Sequence, residues 1–594
     1  MQSGRQRSLA ENVKAAWTIG FAYFQSDERW TAYLLLGGVI AFDLVAVALS
    51  VVTSYWNAAF YNALGDKNWS AFLFQLLIYN GIATFSILRS IGDITVTKWF
   101  IIHWRRWLTS RYLESWLEAG VQYRLRIEEG TPDNPDQRIA EDVRLFIDYS
   151  MSIGLGALTT LVSLASFTII LWNLSASAPI NLMGVAVMLP GYLVGAAFLY
   201  AGIGTWLTHR VGRPLIGLNA TQQKAEADFR FGLARLRENV EEVALSRGEP
   251  AELAGLNRRF SFLVDNWYAL LSRQRWMTLF QSTYNQIAYV FPYLLASPLY
   301  FSGMMPLGGM TQTVAAFGTV RNNLSFFVRY YSNLAYWGSV IERLSGFEMA
   351  LAAIHKTDSP RITYKSHIGA PLFVVDDLVV RLPSGAPVVS VPRFTLSAGE
   401  RVLLTGPSGA GKTSLLRALI GVWPFGEGAV SVRSGIRVVA VPQRGYFPLG
   451  SLRDALTYPE IARKVSDDTL REALTAVGLP ALVDNLDDDI DGAIRFSGGQ
   501  RQLMAFARSL LQKPDILLLD ESTSALDQAT EATVYKLLGE RLPDTAVVTV
   551  GHRTSLASHH DYGVRLVAQQ FEAGSLLIDE GGQFISADRK AANG

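Results

Sequence analysis

Long apolar runs alternate with basic, polar stretches over the first 345 residues of the chain. Six of these runs are close to the roughly 20 residues that a helix needs to cross a bilayer. They lie at about 31–53, 71–95, 153–174, 181–204, 277–302 and 312–337. The second, fifth and sixth runs carry charges, and any single run could instead be a buried core helix. As a set, the runs predict an α-helical membrane domain with six spans.

The polar stretches between the runs differ in charge. Residues 97–150 and 205–276 are long and rich in Arg and Lys, whereas the short connections near 55–69 and 174–181 hold almost none. The positive-inside rule therefore places the two long stretches and both termini in the cytosol. We expect the long stretches to extend the membrane helices beyond the lipid. We also expect residues 12–27, which mix a Lys with aromatic side chains, to lie along the inner interface.

From residue 371 onwards, short strand-like runs alternate with helical ones. Runs such as RVLLTG, ILLLDES and TAVVTVGH favour an α/β domain with a largely parallel sheet. The pattern thus predicts a multidomain membrane protein in which a soluble α/β domain follows the helical one. The predicted parts are a transmembrane domain over 1–345, a linker over 346–370, the α/β domain over 371–580 and a tail over 581–594.

Composition agrees with a chain that lies partly in lipid. Of the 594 residues, 49% are hydrophobic and only 18% are charged, where soluble domains have about a quarter charged. The formal net charge is +1, so we expect no nucleic-acid partner. The absence of cysteine excludes disulfides, thiolate metal sites and a cysteine nucleophile. Residues 1–17 are polar, and we expect no cleaved signal peptide there.

The segment GPSGAGKT, at residues 406–413, follows the strand-like run RVLLT and opens the helical run SLLRALIG. This is the context that a phosphate-binding P-loop requires. Glycines let the backbone curl so that its N–H groups point at phosphates, Lys412 would reach the β- and γ-phosphates, and Thr413 would supply an oxygen to Mg²⁺. The predicted phosphate-binding residues are Gly406, Pro407, Ser408, Gly409, Ala410, Gly411, Lys412, Thr413 and Ser414.

A second apolar run, ILLLDE at residues 516–521, ends in two carboxylates. Asp520 suits a contact with Mg²⁺ or its water, and Glu521 can orient or deprotonate a water for attack on the γ-phosphate. Gln443 could sense Mg²⁺ and that water, and His552 could touch the γ-phosphate. By themselves such residues are usually structural, because strands often end in acidic residues and a lone Gln or His is mostly a satisfied polar group. The P-loop makes them candidates.

The stretch FSGGQ, at residues 496–500, begins another helical pattern, and two interpretations remain open. In the first, Ser497 only caps its own helix. In the second, the helix start faces a γ-phosphate. A P-loop surrounds its nucleotide on one side, so two copies meeting head to tail could each offer this helix start to the nucleotide of the other. The residues concerned are Ser497, Gly498, Gly499 and Gln500.

In their order and spacing, these motifs resemble the nucleotide-binding domain of ABC transporters. GPSGAGKT resembles the Walker A motif, FSGGQ the signature and ILLLDE Walker B, with Gln443 in the Q-loop, Asp527 in the D-loop and His552 as the switch histidine. The resemblance implies ATP and Mg²⁺ as cofactors and hydrolysis of ATP. The implied catalytic residues are Glu521, His552, Gln443 and Lys412. Two positions depart from the pattern: Phe496 replaces the usual Leu, and Leu382 lies near the place where an aromatic residue often stacks on adenine.

Further stretches resemble the bacterial SbmA/BacA-related ABC half-transporters, which are relatives of the peroxisomal fatty-acyl ABC transporters of subfamily D. They are NPDQRIAEDVRLF at 134–146, EEVALSRGEPAE at 241–252, LLRALIGVWPFGEG at 415–428 and FPLGSLRDALTYP at 447–459. This resemblance implies an exporter-like, type IV fold and a homodimer. It also implies a place in the bacterial inner membrane with the ATPase domain in the cytosol, and coupling of the two domains through the first two stretches.

Ionisable residues inside lipid are expensive and usually face a cavity. Asp43 interrupts the first run, while Arg89 and Asp93 lie one turn apart in the second and could simply pair with each other. Arg321 and Arg329 help to make the sixth run unusually polar. We therefore predict that the cargo is a hydrophilic or amphipathic solute, such as a peptide or a cobalamin-like compound, with import slightly favoured by the family.

Two alternatives remain at this stage. The two arginines of the sixth run could also meet a carboxylate or phosphate, so an exporter or flippase of lipids, acyl-CoA esters or drug-like compounds stays open. A protein of another class, an ATP-gated membrane sensor without translocation, would share the same motifs. Glu521 and the six spans argue against a sensor, because a sensor needs no hydrolytic turnover.

Overall fold

The structure is a computed structural model, and it describes most of the chain. The described residues are 9–118, 120–127, 134–175, 179–182, 185–188, 191–326, 330–356, 362–460, 465–490, 496–567, 570–578 and 584–588. The chain divides into two compact units. The first unit, which is helical, comprises residues 1–117 and 132–351, and the second comprises residues 118–131 and 352–594.

The helices are numbered along the chain. They are α1 (Leu9–Phe24), α2 (Arg29–Gly65), α3 (Trp69–Leu117), α4 (Val121–Ile127), α5 (Pro135–Gln137), α6 (Val143–Ser175), α7 (Tyr192–Glu238), α8 (Val240–Leu245), α9 (Glu249–Phe301), α10 (Leu307–Leu324), α11 (Tyr331–Lys356), α12 (Lys412–Leu419), α13 (Leu452–Thr457), α14 (Asp467–Ala476), α15 (Gly498–Gln512) and α16 (Gln528–Arg541). A π-helical turn, Arg138–Asp142, joins α5 to α6.

The strands are numbered in the same way. They are β1 (Pro179–Leu182), β2 (Val185–Met188), β3 (Thr363–His367), β4 (Phe373–Arg381), β5 (Pro387–Leu396), β6 (Arg401–Thr405), β7 (Gly426–Arg433), β8 (Val438–Val441), β9 (Ile516–Asp520), β10 (Ala546–Val550), β11 (Tyr562–Val567), β12 (Gln570–Ile578) and β13 (Phe584–Asp588).

The first unit contains helices that are longer than a bilayer requires. Within the described residues, three helical stretches are long and apolar enough to cross a membrane, namely Arg29–Gly65, Trp69–Leu117 and Pro135–Ser175. They contain the first three predicted runs. Helices α7 and α9 hold 47 and 53 residues, far more than the roughly 20 needed for one crossing, but they are more polar. Their length fits the expectation that polar stretches continue the membrane helices.

The fourth predicted run differs from the structure at its beginning. Instead of a helix from residue 181, the chain forms an antiparallel hairpin of β1 and β2, in which Ile180 pairs with Val187. Helix α7 begins only at Tyr192, after Gly191 with φ +79°. A Cβ at Gly191 would lie 2.3 Å from the Trp172 ring, so this close turn requires glycine. The prediction of a helix over the first part of 181–204 is therefore wrong.

One mixed sheet organises the second unit. Its strand order is β3–β7–β4–β5–β12–β11–β6–β10–β9–β8, with β13 paired to β12. Side chains along β9 alternate between two apolar cores, because Leu517 and Leu519 belong to one cluster and Ile516 and Leu518 to the other. Such a strand, buried on both faces, reads as a continuous apolar run. The sheet confirms the predicted α/β class.

Four adjacent strands of this sheet position the candidate site. β6 pairs in parallel with β10, β10 with β9, and β9 with β8. The carboxyl ends of parallel strands lie at one edge, where α/β proteins bind ligands. The P-loop follows β6, Gln443 follows β8, Glu521 follows β9 and His552 follows β10. Strand order alone thus gathers motifs that are widely separated in sequence.

Helix α4 belongs to the second unit, although it lies between α3 and α5 in the chain. Tyr123 and Ile127 pack against the apolar cluster that contains Val402. The guanidinium of Arg417, on α12, lies 5.9 Å from the centre of the Tyr123 ring. A short segment that follows α3 is therefore packed as part of the α/β unit, next to the helix that carries the P-loop lysine. No motif of the sequence had pointed to this segment.

Candidate nucleotide-binding and hydrolysis site

The P-loop turns sharply between β6 and α12. Gly406 has φ +147° and Gly411 has φ +90°, a region that only glycine adopts readily. A Cβ at Gly406 would lie 2.7 Å from the carbonyl oxygen of Leu566, and one at Gly411 would lie 2.4 Å from Val388. Pro407, Ser408, Gly409 and Ala410 complete the turn, and Lys412, Thr413 and Ser414 begin α12. The backbone is thus held in the tight curl that a phosphate cradle needs.

Lys412 lies across its own loop. Its Nζ donates hydrogen bonds to the carbonyl oxygens of Gly406, at 2.8 Å, and Pro407, at 2.9 Å. Burial lowers the pKa of the Lys412 ammonium, and the carboxylates of Glu521 and Asp520 act in the opposite direction. The ammonium therefore lies against the P-loop carbonyls, where a triphosphate bound to the loop would meet it.

Two oxygens suited to a divalent cation meet at the start of α12. Thr413 Oγ1 donates a hydrogen bond to Asp520 Oδ1 at 3.1 Å. Burial raises the pKa of the Asp520 carboxyl, and the hydrogen bond from Thr413 opposes that shift. The described residues contain no group of three or more His, Cys, Asp or Glu side chains that could hold a metal by themselves. Thr413 and Asp520 supply two oxygens, so an Mg²⁺ ion bound here would take its remaining ligands from phosphate and water.

Two predicted catalytic side chains, Gln443 and His552, converge on the carboxylate of a third, Glu521. Gln443 Nε2 donates to Glu521 Oε2 at 3.0 Å, and His552 Nε2 lies 3.4 Å from Glu521 Oε1. Glu521 itself has φ +48°, and its N–H donates to the carbonyl oxygen of Val550 at 3.1 Å. A left-handed residue that is not glycine stores strain and is typical of functional sites. The arrangement can orient a water and accept its proton.

In the single chain, the signature residues cap their own helix. Ser497 Oγ accepts from the backbone N–H of Gln500 at 3.2 Å, and Gln500 Oε1 accepts from the N–H of Ser497 at 3.0 Å. This is the first of the two interpretations. The N–H groups of Gly498 and Gly499 have no acceptor within a helix, since they belong to its first turn. The capping box therefore leaves two donors that could still bind an anion.

Asp527 also has a local partner. Its carboxylate accepts from the backbone N–H of Thr530 at 2.9 Å and caps α16, and this hydrogen bond lowers the pKa of the Asp527 carboxyl. Nearby, the side chain of Gln502 binds both Ser524 and Ala525, at 3.2 and 2.9 Å. The loop before α16 is thus tied to the helix that begins with the signature.

Sequence reasoning missed the residue that clamps this loop. Arg553, which follows His552, donates to the carbonyl oxygens of Ser524, at 2.9 Å, and Leu526, at 2.7 Å. It also lies 3.4 Å from the carboxylate of Glu531, which is 1% exposed. That carboxylate accepts further hydrogen bonds from the hydroxyl groups of Thr523 and Ser555, both at 2.8 Å. A buried Glu inside a helical pattern looks like a surface residue, so no sequence signal marked this network.

We expect Arg553→Ala to lower kcat for ATP hydrolysis about tenfold, with less than a twofold change in KM. Arg553 positions the loop and the strand end that carry Asp527 and His552, but it lies outside the phosphate cradle. Arg541→Ala is the matched control, because Arg541 pairs with Glu472 at the surface and, among the described residues, has no other ion pair. Steady-state hydrolysis by the full chain measures both constants. An unchanged kcat, or a large rise in KM alone, would contradict a positioning role.

The candidate residues of the membrane runs separate into two groups. Arg89 Nη1 lies 3.3 Å from Asp93 Oδ2 and also donates to the carbonyl oxygen of Phe42, the neighbour of Asp43. Arg89 and Asp93 therefore form an ion pair with each other. This is the simpler interpretation given above, in which the two charges pair and do not mark a substrate path. Arg321, in contrast, donates to Asn322 Oδ1 at 3.0 Å and lies 5.9 Å from the centre of the Tyr284 ring. Arg329 lies outside the described residues.

The comparisons with known proteins agree with this geometry. Residues 21–301 match the family model of the ABC transporter transmembrane region 2, and residues 389–524 match that of the ABC transporter domain. The chain is 33% identical to the inner membrane ABC transporter ATP-binding protein YddA of Escherichia coli, over 88% of this chain and 92% of that protein. It is 27% identical to the mouse lysosomal cobalamin transporter ABCD4, over 85% and 87%. The fold resembles a bacterial Atm1-family ABC exporter with ATP bound, with a TM-score of 0.68, 17% identity and coverage of 91% and 95%.

Proposed function

Because this chain belongs to the ABC transporters, as a half-transporter related to subfamily D, we propose that two copies form a pump for a hydrophilic or amphipathic solute in the bacterial inner membrane. Hydrolysis of ATP coupled to transport follows from the family. The observation that carries the proposal is the convergence of Gln443 and His552 on Glu521. A site built for turnover needs a base held at the reacting water, whereas a site that only senses ATP does not.

The P-loop and the side-chain oxygens of Thr413 and Asp520 would bind the nucleotide with its Mg²⁺. ATP, bound with Mg²⁺, supplies the phosphoanhydride bond that is cleaved. The N–H groups of the turn at 406–411 would hold phosphate oxygens, and Lys412 would exchange its loop carbonyls for a phosphate. Thr413 and Asp520 would hold Mg²⁺.

Proton transfer falls to Glu521. Its carboxylate can take the proton of a water. Gln443, on one carboxylate oxygen, and His552, near the other, fix the orientation of the carboxylate. His552 is about half exposed and can reach beyond Glu521 toward a γ-phosphate. The division of labour is the usual one for phosphoryl transfer, in which positioning and electrostatics lower the barrier.

A second copy of the chain supports turnover by completing the site. The capping box leaves the N–H groups of Gly498 and Gly499 available for an anion at the positive end of α15. Each chain carries one P-loop and one such helix start, so a head-to-tail pair would place each start over the other chain's nucleotide. Binding and release of ATP would then close and open the pair.

The cargo that fits the membrane region carries an anionic group. Among the described residues no acidic side chain pairs with Arg321, while Tyr284 covers its guanidinium. An ionised residue in a membrane domain usually faces a wet cavity and a partner. A carboxylate or phosphate on the cargo would supply that partner. Peptides and cobalamin-like compounds carry such groups, and the mouse relative is named a cobalamin transporter. We propose import as the direction.

Reconstituted vesicles test the cargo and the direction together. We expect ATP-dependent flux of an anionic peptide or of cobalamin, and Arg321→Gln to raise the KM for transport at least about tenfold, since an interfacial charge pair is worth about 2 kcal/mol or more. Arg144→Gln is the matched control, because Arg144 forms an exposed pair with Asp148. Transport only of solutes that lack a carboxylate or phosphate group, or an unchanged KM in Arg321→Gln, would exclude a cargo with an anionic group. Movement only outward would exclude import.

A further inference from the structure

A buried carboxylate in the first unit belongs neither to the nucleotide site nor to the membrane runs. Asp142 is 1% exposed and is the last residue of the π-helical turn that leads into α6. Arg343, on α11, donates to both carboxylate oxygens, from Nε to Oδ2 at 2.9 Å and from Nη2 to Oδ1 at 2.5 Å. Arg138 Nη1 also donates to Oδ2, at 2.7 Å. We call these three residues the Asp142 clamp.

The clamp differs from an ordinary surface ion pair in its geometry and its burial. A guanidinium that binds both oxygens of one carboxylate fixes direction as well as distance. Burial alone would raise the pKa of the Asp142 carboxyl, but the hydrogen bonds from Arg343 and Arg138 outweigh burial and lower that pKa. The carboxylate therefore stays ionised and bound at neutral pH. A π-helical turn, such as the one that carries Asp142, is often found at a functional site.

A second contact joins α11 to the end of α3. The hydroxyl group of Tyr112, a residue that is 2% exposed, donates to Glu348 Oε1 at 3.1 Å. Arg111 Nη2 lies 4.0 Å from the same oxygen. The Tyr112 ring packs against Phe347, with 5.7 Å between the ring centres. Helix α11 thus binds α3 through Glu348 and the start of α6 through Arg343.

Both contacts lie near the places where the chain passes from one unit to the other. These passages follow residues 117, 131 and 351. Tyr112 precedes the first passage, Asp142 follows the second, and Glu348 precedes the third. The segment between the first two passages, 118–131, carries α4 and packs as part of the α/β unit. Within the first unit, α11 therefore binds the chain on both sides of this segment.

We propose that Asp142 and Arg343 are positioning residues that couple ATP hydrolysis to transport, because they make the start of α6 move together with α11. Two helices joined by a fork of hydrogen bonds cannot slide or rotate freely against each other. A displacement of the connecting segments would then reach α6, which contains the third membrane run. Without the clamp, α6 and α11 could move separately, and hydrolysis would continue without driving the membrane helices.

The proposal adds a bond and a partner helix to the coupling role of residues 134–146. The resemblance implies only that this stretch takes part in coupling, whereas the hydrogen bonds of Arg343 assign α11 as its partner. The inference rests on the proposed transport function.

The full chain in reconstituted vesicles provides the test, with a fluorescent anionic peptide as the transported probe. Phosphate release and peptide flux are measured on the same sample, and their ratio gives the peptide moved per ATP hydrolysed. Arg343→Gln should lower this ratio at least about tenfold. Hydrolysis should stay within about twofold, because Arg343 lies outside the nucleotide site. Arg144→Gln is the matched control on α6, since Arg144 forms an exposed pair with Asp148, and should leave the ratio unchanged.

A conservative variant controls for misfolding. Arg343→Lys keeps a positive charge beside Asp142, so the buried carboxylate stays paired, but an ammonium cannot bind both oxygens as a planar fork. We expect the ratio to fall about threefold while hydrolysis is unchanged. A ratio that is unchanged in both Arg343 variants, including the case in which flux and hydrolysis fall together, would show that the clamp is only structural and would overturn the proposal.

Hydrogen exchange separates the clamp from the proposed transport function. We expect ATP to change the amide exchange of residues 138–147 in the unmodified chain, and Arg343→Gln to remove this change while α12 still responds to ATP. A response at 138–147 that is equal in the two chains, or absent from both, would refute the clamp whether or not peptide moves. If the unmodified chain moves no peptide but loses the response only in the variant, the clamp stands and the proposed transport function fails.

Discussion

The Glu521→Gln variant is expected to lose ATP turnover by about a hundredfold or more while it still binds ATP. Gln443 donates to one oxygen of this carboxylate at 3.0 Å and His552 lies 3.4 Å from the other. The amide of Gln keeps the size and one acceptor oxygen, so the pocket and the hydrogen bond from Gln443 can persist. An amide cannot take a proton from water, however, so the loss falls on the chemical step.

Phosphate release and ATP binding, measured on the same reconstituted sample, distinguish a loss of turnover from a loss of ATP binding. Glu540→Gln is the matched control, since Glu540 forms an exposed pair with Lys536 at 3.8 Å. Flux of cargo should stop in Glu521→Gln and continue in the control. Turnover within threefold of the unmodified chain would show that another group acts as the base, and flux without turnover would separate transport from hydrolysis.

The grouping of the candidate nucleotide-site residues was predictable because their motifs are local and the sheet that carries them is regular. Each of Gln443, Glu521 and His552 follows a short apolar strand, and parallel strands place their carboxyl ends at one edge. The glycines of the P-loop are required by backbone geometry, as the positive φ of Gly406 and Gly411 shows. Local motifs and strand order were sufficient to predict that these residues lie together.

The remaining features depend on contacts that sequence patterns do not carry. Arg553 reaches Ser524 and Leu526 across more than 25 residues, and the burial of Glu531 follows only from that packing. The hairpin of β1 and β2 replaces the beginning of a predicted helix, because hydropathy alone cannot distinguish an apolar strand from an apolar helix. For the signature, the capping box is compatible with both interpretations, because it uses the N–H groups of Ser497 and Gln500 and leaves those of Gly498 and Gly499.

The second interpretation, in which the start of α15 faces a phosphate, leads to the other large expected effect. Gly498→Asp should lower the rate of ATP hydrolysis by about a hundredfold or more. It should not unfold the domain. A Cβ at Gly498 would meet the Ala525 side chain at an ordinary 3.4 Å, and an acidic residue in the first turn of α15 favours the helix. The added carboxylate would, however, oppose a phosphate at the N–H groups that a partner's nucleotide needs. Gly498→Asn, which has the same shape without charge, is the control and should keep most of the turnover.

Mixed pairs of chains decide whether each nucleotide is shared. If the site joins the P-loop of one chain to the signature of the other, a pair of Lys412→Ala with Gly498→Asp retains one intact site. A pair of an unmodified chain with the double variant then retains none. If each chain hydrolyses ATP by itself, the two outcomes are reversed. Co-expression with two different tags isolates each mixed pair, and phosphate release measures it. Because one of the two pairs must lose its activity under either arrangement, the comparison remains decisive even if a single intact site turns over slowly.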